Sequence, residues 1–234
     1  MRDLHFNVFH AYRGASRSEE DGERQIEDNL TRALMITLDQ LRTSPARAHL
    51  LRALGVDEES ISDDYRCDLQ VKGLRAGYRT QKVRRLTVIH GGPKLIVTPA
   101  TMGAGSGRAD AALVSTGYLL GIESKLGNTI SENQMLRHRR TLELQSTRPI
   151  DVTWGDVARA ARRAIADKAR DQDTIGSFVL SHFEEYLRMN GFGGFTDQHF
   201  GFFATSSDER DDLTKDGIRR SLGTVISDLR VSLA

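Results

Sequence analysis

The sequence predicts an α/β fold: a central mixed β-sheet flanked by helices, with a C-terminal helical elaboration. Three observations lead there. Across residues 23–42 the apolar positions Ile26, Leu30, Ala33, Leu34, Leu38 and Leu41 recur at helical spacing. Short strand-like runs follow at 67–71, 83–90 and 94–98, with Gly91-Gly92-Pro93 as the turn between the last two. Finally, two apolar-rich runs flank the turn-like tripeptide Ser115-Thr116-Gly117, so residues 107–125 read as a β-hairpin.

Taken in order, residues 1–22 show no clear period. After the first helix, Pro45 opens a short helix through Ala53, stopped by Gly55. Beyond the hairpin, Ser131-Glu132-Asn133-Gln134 matches a capping box, with Ser131 as N-cap and Gln134 reaching back, and the helix runs to Leu144. Residues 149–152 read as a strand, and Thr153-Trp154-Gly155-Asp156 opens another helix with a second capping box. A helix is expected over 174–189, with Phe178, Val179, Phe183, Tyr186 and Leu187 on one face and Asn190-Gly191 as its stop. An aromatic loop at 191–195, a strand at 199–203 and an amphipathic helix at 213–229 complete the expectation. At 234 residues, one domain with elaborations is the default, with a core over 1–150 and a mainly helical elaboration over 151–234 packed on it.

Composition narrows the function classes. Hydrophobic content of 38% and charged content of 28% fit a globular protein, and no apolar run approaches the roughly 20 residues of a membrane span. The opening residues carry no basic-then-apolar leader, and the single Cys67 excludes an intramolecular disulfide and a cysteine zinc site; both imply a cytoplasmic protein. With a net charge of only +1, a nucleic-acid partner has to be held by a local basic surface. Residues 131–170 hold nine Lys/Arg against five acids and supply the best such surface, although a solvated helix face is the commoner explanation for Arg159, Arg162 and Arg163 taken alone. The glycine-rich run 102–107 leads into a strand rather than a helix and lacks a Lys-Ser/Thr pair. It therefore reads as an approach to the site that contacts substrate, not as a nucleotide-binding loop.

The hairpin carries the chemistry. A turn centred between Thr116 and Gly117 puts Asp110 directly across from Glu123, with Lys125 on the same face, while Leu120, Ile122 and Leu126 point to the core. Like charges directly across a ladder are destabilising, and a cation between them relieves the repulsion. A hard divalent cation such as Mg²⁺, which keeps waters and shares its site with phosphate, suits two carboxylates. The expectation is a metal-dependent phosphodiester hydrolase.

Asp110 followed by Glu123-Ser124-Lys125 at the end of the next strand resembles the signature of the PD-(D/E)xK nuclease superfamily, with Ala109 standing where the motif's proline would be. The resemblance covers about residues 27–138 and implies a restriction-endonuclease-like core. It also implies that Asp110, Glu123 and the Ser124 carbonyl hold Mg²⁺, for which Mn²⁺ can substitute, and that Lys125 positions the attacking water. Glu27, on the first helix, stands where many members carry a further metal-binding acid; a solvated helix-edge acid is the other reading. Several branches carry a Gln followed four residues on by Tyr, which help hold the substrate phosphates or the metal-bound water; Gln134 resembles the first, and His138, one turn on, stands where the Tyr would be. For Gln134, simple capping is the other reading, and for His138, a surface histidine. Arg137, His138 and Arg140 are the expected nucleic-acid contacts. The implied activity is endonucleolytic cleavage of DNA in phage defence or restriction, by a protein that is a homodimer or works with a defence-system partner. The rival from another class is a nuclease-like module that grips nucleic acid or a protein without cutting.

Overall fold

The computed structural model describes residue 9 and residues 19–72, 81–99, 108–145, 148–168 and 174–192. The first amphipathic stretch forms α1 (Glu19–Gln40), and α2 (Arg47–Ala53) follows it after a short connection. Three of the five strands of the main sheet come next: β1 (Arg66–Val71), β2 (Val83–His90) and, after a gap, β4 (Ala109–Ser115). Between the last two lies β3 (Ile96–Thr98), and the hairpin partner β5 (Tyr118–Ser124) comes after them. The chain continues through β6 (Thr129–Ser131), α3 (Glu132–Thr141), β7 (Ile150–Thr153), α4 (Trp154–Lys168) and α5 (Thr174–Met189).

The main sheet has the order β1-β4-β5-β2-β7 and is mixed. β4 is antiparallel to both β1 and β5, whereas β2 runs parallel to β5 and β7. Parallel neighbours aim their carboxyl ends the same way, so the ends of β5, β2 and β7 form one edge. Ser115 pairs with Tyr118, which makes Thr116-Gly117 the two-residue turn that the sequence predicts. Gly117 has φ +78°, a left-handed value that only glycine takes without steric cost.

The hairpin strands are buried on both faces, as central strands of a sheet are. Leu113, Leu120 and Ile122 join the core shared by α1, α2, α4 and α5; Leu126 packs against it. The other face, with Leu86, Val88, Ala112 and Leu119, packs on Ile130 and Leu142. Gly121 leaves room for Leu142: a Cβ there would lie 2.4 Å from Leu142 Cδ1. Helices α4 and α5 thus belong to the same core as α1 and α2, and the boundary expected between residues 150 and 151 falls within β7 of the main sheet.

One departure affects the surroundings of the site. β3 leaves the main sheet and pairs in parallel with β6, a strand the sequence does not announce, making a separate two-stranded sheet. The turn at Gly91-Gly92 rests directly on the segment after Lys125. A Cβ at Gly91 would lie 2.0 Å from the Leu126 carbonyl oxygen, and one at Gly92 would lie 2.5 Å from Asn128 Cβ, so only glycine permits this approach. The second capping box forms as expected, with the Thr153 amide bonded to Asp156 Oδ2 and the Asp156 amide to Thr153 Oγ1, each at 3.0 Å. Among the described residues no helix is long and apolar enough to cross a membrane. The glycine-rich run at 102–107, the strand at 199–203 and the helix at 213–229 lie outside the described residues, as does the aromatic loop beyond Phe192.

Candidate active site

Continuing the hairpin register one step past Ala111 and Ile122 puts Asp110 opposite Glu123, on the face that carries Ala112 and Gly121. Asp110 Oδ2 accepts a 2.7 Å hydrogen bond from the Ser124 amide, which ties its carboxylate to the end of β5. Glu123 is 2% exposed. Its Oε1 lies 2.7 Å from the Lys125 ammonium and also accepts a hydrogen bond from Gln134 Nε2. Its Oε2 lies 3.1 Å from His138 Nε2, without the alignment of a hydrogen bond, so both atoms are buried with no hydrogen-bond partner among the described residues.

Helix α1 closes the site from the other side of the sheet. Glu27 Oε1 accepts from the Leu126 amide at 2.8 Å, and Oε2 lies 3.7 Å from Lys125 Nζ. One turn further on, the Thr31 hydroxyl donates to the Glu27 carbonyl at 2.9 Å and lies 2.6 Å from the Ser124 hydroxyl. Lys125 itself is fixed to the sheet through its amide, which donates to the Ile89 carbonyl at 2.8 Å. Asp110, Glu123, Lys125, Glu27 and Gln134 are therefore brought together at the carboxyl edge of the parallel strands, the place where open α/β sheets bind ligands.

The electrostatics follow from burial and proximity. Burial, and then the neighbouring Glu123, push the Asp110 carboxyl up to about 7, against the opposing pull of the Ser124 amide and Lys125. Burial alone would raise Glu123 as well, but His138 and Lys125 outweigh it and hold this carboxyl below its ordinary value. For Lys125, burial works to lower the ammonium, and the carboxylates of Glu123 and Glu27 overcome it, so its value is raised. Asp110 thus exchanges its proton near neutrality, while Glu123 is held as a carboxylate and Lys125 as an ammonium.

Two expectations are corrected here. Gln134 does not reach back to cap its helix: Ser131 Oγ accepts from the Gln134 amide at 3.2 Å, but the side-chain amide turns to Glu123. His138 is not at the surface. Its ring has 0% exposure and faces Glu123, so it is not placed to touch a phosphate outside the protein. Of the expected nucleic-acid contacts, Arg140 is exposed in the last turn of α3 and Arg137 is half-buried. Two neighbours were not singled out in the sequence. Thr31 is one; the other is the pair formed by buried His90, the last residue of β2, and exposed Asp151 on the neighbouring β7. Hydroxyls and histidines at strand or helix ends carry no period, so only the fold reveals them.

Among the described residues, no three His, Cys, Asp or Glu side chains are grouped as they would be around a metal ion. The geometry explains why: Glu27 is turned to the Leu126 amide and Asp110 to the Ser124 amide, while Lys125 neutralises Glu123. No family model, curated protein or solved structure matches the chain.

Proposed function

We propose that the protein is a divalent-metal-dependent nuclease that hydrolyses DNA phosphodiester bonds on a restriction-endonuclease-like core, in phage defence or restriction. The observation that carries this reading is the convergence of Asp110, Glu123 and Lys125 at the carboxyl edge of the sheet, in a site closed from behind by α1 and α3. The donor set suits Mg²⁺, which is usually held by one or two carboxylates with waters and phosphate oxygens completing the shell. Two features of the site favour a cation: Glu123 Oε2 is buried with the His138 ring 3.1 Å away but no aligned hydrogen bond, and burial beside Glu123 raises the Asp110 carboxyl. Asp110, Glu123 and the Ser124 carbonyl would hold it, and when bound it supplies Lewis-acid activation of a water and neutralisation of developing charge. The chain's own residues do the rest. Lys125 orients the attacking water and donates hydrogen bonds to the phosphoryl oxygens as charge builds on them. Gln134 and His138 hold the Glu123 carboxylate in place. Glu27 fixes the backbone after Lys125 through the Leu126 amide, and Arg140 attracts the phosphate backbone from α3.

The test is incubation of circular and linear DNA with the protein in the presence and absence of Mg²⁺ or Mn²⁺. Metal-dependent nicking or linearisation, lost in Lys125→Ala, is the expected result, and intact DNA under all conditions refutes it. A second reading has its own observation. Lys125 already satisfies both Glu123 and Glu27, and such a closed network suits a module that binds nucleic acid or a protein without cutting. That reading requires no effect of millimolar Mg²⁺ on stability or binding.

A further inference from the structure

We propose that the Lys125 ammonium is a built-in counter-ion that occupies Glu123 in the metal-free protein and leaves it when a divalent cation binds, so that the site exchanges one cation for another. The inference rests on the metal-dependent reading above and adds a regulation of that site.

A carboxylate buried as deeply as Glu123 has to be balanced by a partner of opposite charge. Lys125 supplies it, with Nζ 2.7 Å from Glu123 Oε1 and 3.7 Å from Glu27 Oε2. The same Oε1 also receives Gln134 Nε2, so its acceptor positions are engaged by protein donors. A divalent cation seeks that carboxylate too, and two cations sharing one carboxylate, whichever oxygen each takes, repel strongly in a site of low effective dielectric. The means of yielding are built in. The backbone of Lys125 is anchored through its amide on Ile89, while its side chain is a flexible four-carbon stem, and the residue is partly exposed. It can turn outward without disturbing the strand. Glu123 then keeps a positive partner in both states, and the ammonium becomes available to a substrate phosphate only once the metal is in place. Lys125 thereby couples phosphate recognition to metal occupancy.

The experiment is calorimetric titration of Mn²⁺ into the wild-type protein and into Lys125→Met and Lys125→Arg, with folding of each verified by circular dichroism. Lys125→Met keeps the length of the side chain and removes the competing charge, and it should bind Mn²⁺ about tenfold more tightly, which is about 1.4 kcal/mol. Lys125→Arg, which keeps the charge, should show no such gain. In parallel, brief acetylation of the wild-type protein followed by peptide mass spectrometry should show Lys125 more heavily labelled with Mn²⁺ than without; this measurement needs no variant. Equal or weaker Mn²⁺ binding by a folded Lys125→Met, or unchanged Lys125 labelling in a wild-type protein that does bind Mn²⁺, overturns the exchange and leaves the nuclease reading standing. Absence of Mn²⁺ binding in every folded variant overturns both.

Discussion

Replacing Asp110 with asparagine should make the metal-free protein more stable at neutral pH, even though the substitution falls in the middle of the candidate site. The Asp110 carboxyl moves from an ordinary 3.8 to about 7 because it is buried beside Glu123. A native-state value above the unfolded one means that the folded protein binds a proton which the unfolded chain has already released. Stability therefore falls as pH rises from about 4 to about 7 and is flat in this respect outside that window. The interval corresponds to a ceiling of about 4 kcal/mol above pH 7, and partial solvent access of Asp110 reduces it to about 2 kcal/mol. Asparagine keeps an oxygen to accept the Ser124 amide and carries no charge, so Asp110→Asn removes the penalty without removing that bond. Urea unfolding in the presence of a chelator, at pH 4.5, 6 and 8, reads the effect directly. The advantage of the variant should shrink towards zero as pH falls to about 4 and reach about 2 kcal/mol at pH 8. A variant that is less stable at pH 8, or a difference that does not change with pH, would refute the claim that two carboxyls are forced together here.

Other outcomes follow from the same geometry. Lys125→Ala and Asp110→Ala should each abolish DNA cleavage while leaving the far-ultraviolet circular dichroism of the wild type, as gel assays and spectra will show. Gly121→Ala should destabilise by about 1–3 kcal/mol, because its Cβ would collide with Leu142 under α3; thermal unfolding measures this. Thr31→Val should cost about 1–3 kcal/mol by leaving the Ser124 hydroxyl without its buried partner, a loss readable in chemical denaturation. Arg140→Glu should weaken DNA binding and flatten its salt dependence with little change in stability, as binding isotherms at several salt concentrations will show, since this arginine is exposed at the end of α3.

The parts of the fold that repeat or turn tightly were legible in the sequence. The helical period of α1 and the Thr116-Gly117 turn each constrain many residues at once, and the turn alone set the register that brings Asp110 opposite Glu123. Capping boxes specify local geometry, so the starts of α3 and α4 could be read to the residue. What could not be read depends on tertiary placement. Gln134 satisfies the sequence pattern of a cap, yet Glu123 offers it a buried charged acceptor, and a charge-assisted bond there outweighs a bond to a backbone amide that water can reach. His138 looks like any polar residue on a basic helix until α3 is seen to lie over the sheet, where its position turns inward. β6 spans three residues, too few to show a period, and although the strand at 94–98 was legible, its removal from the main sheet beyond the Gly91-Gly92 turn was not.

The claim on which the account rests is that Asp110 and Glu123 jointly hold a divalent cation. A crystal of the protein soaked in Mn²⁺ tests it most directly, through the anomalous scattering of the metal. A peak bridging the Asp110 and Glu123 carboxylates, absent from crystals of Asp110→Asn, is the predicted result; a map without any peak at these carboxylates, or one with the metal bound elsewhere, would contradict it.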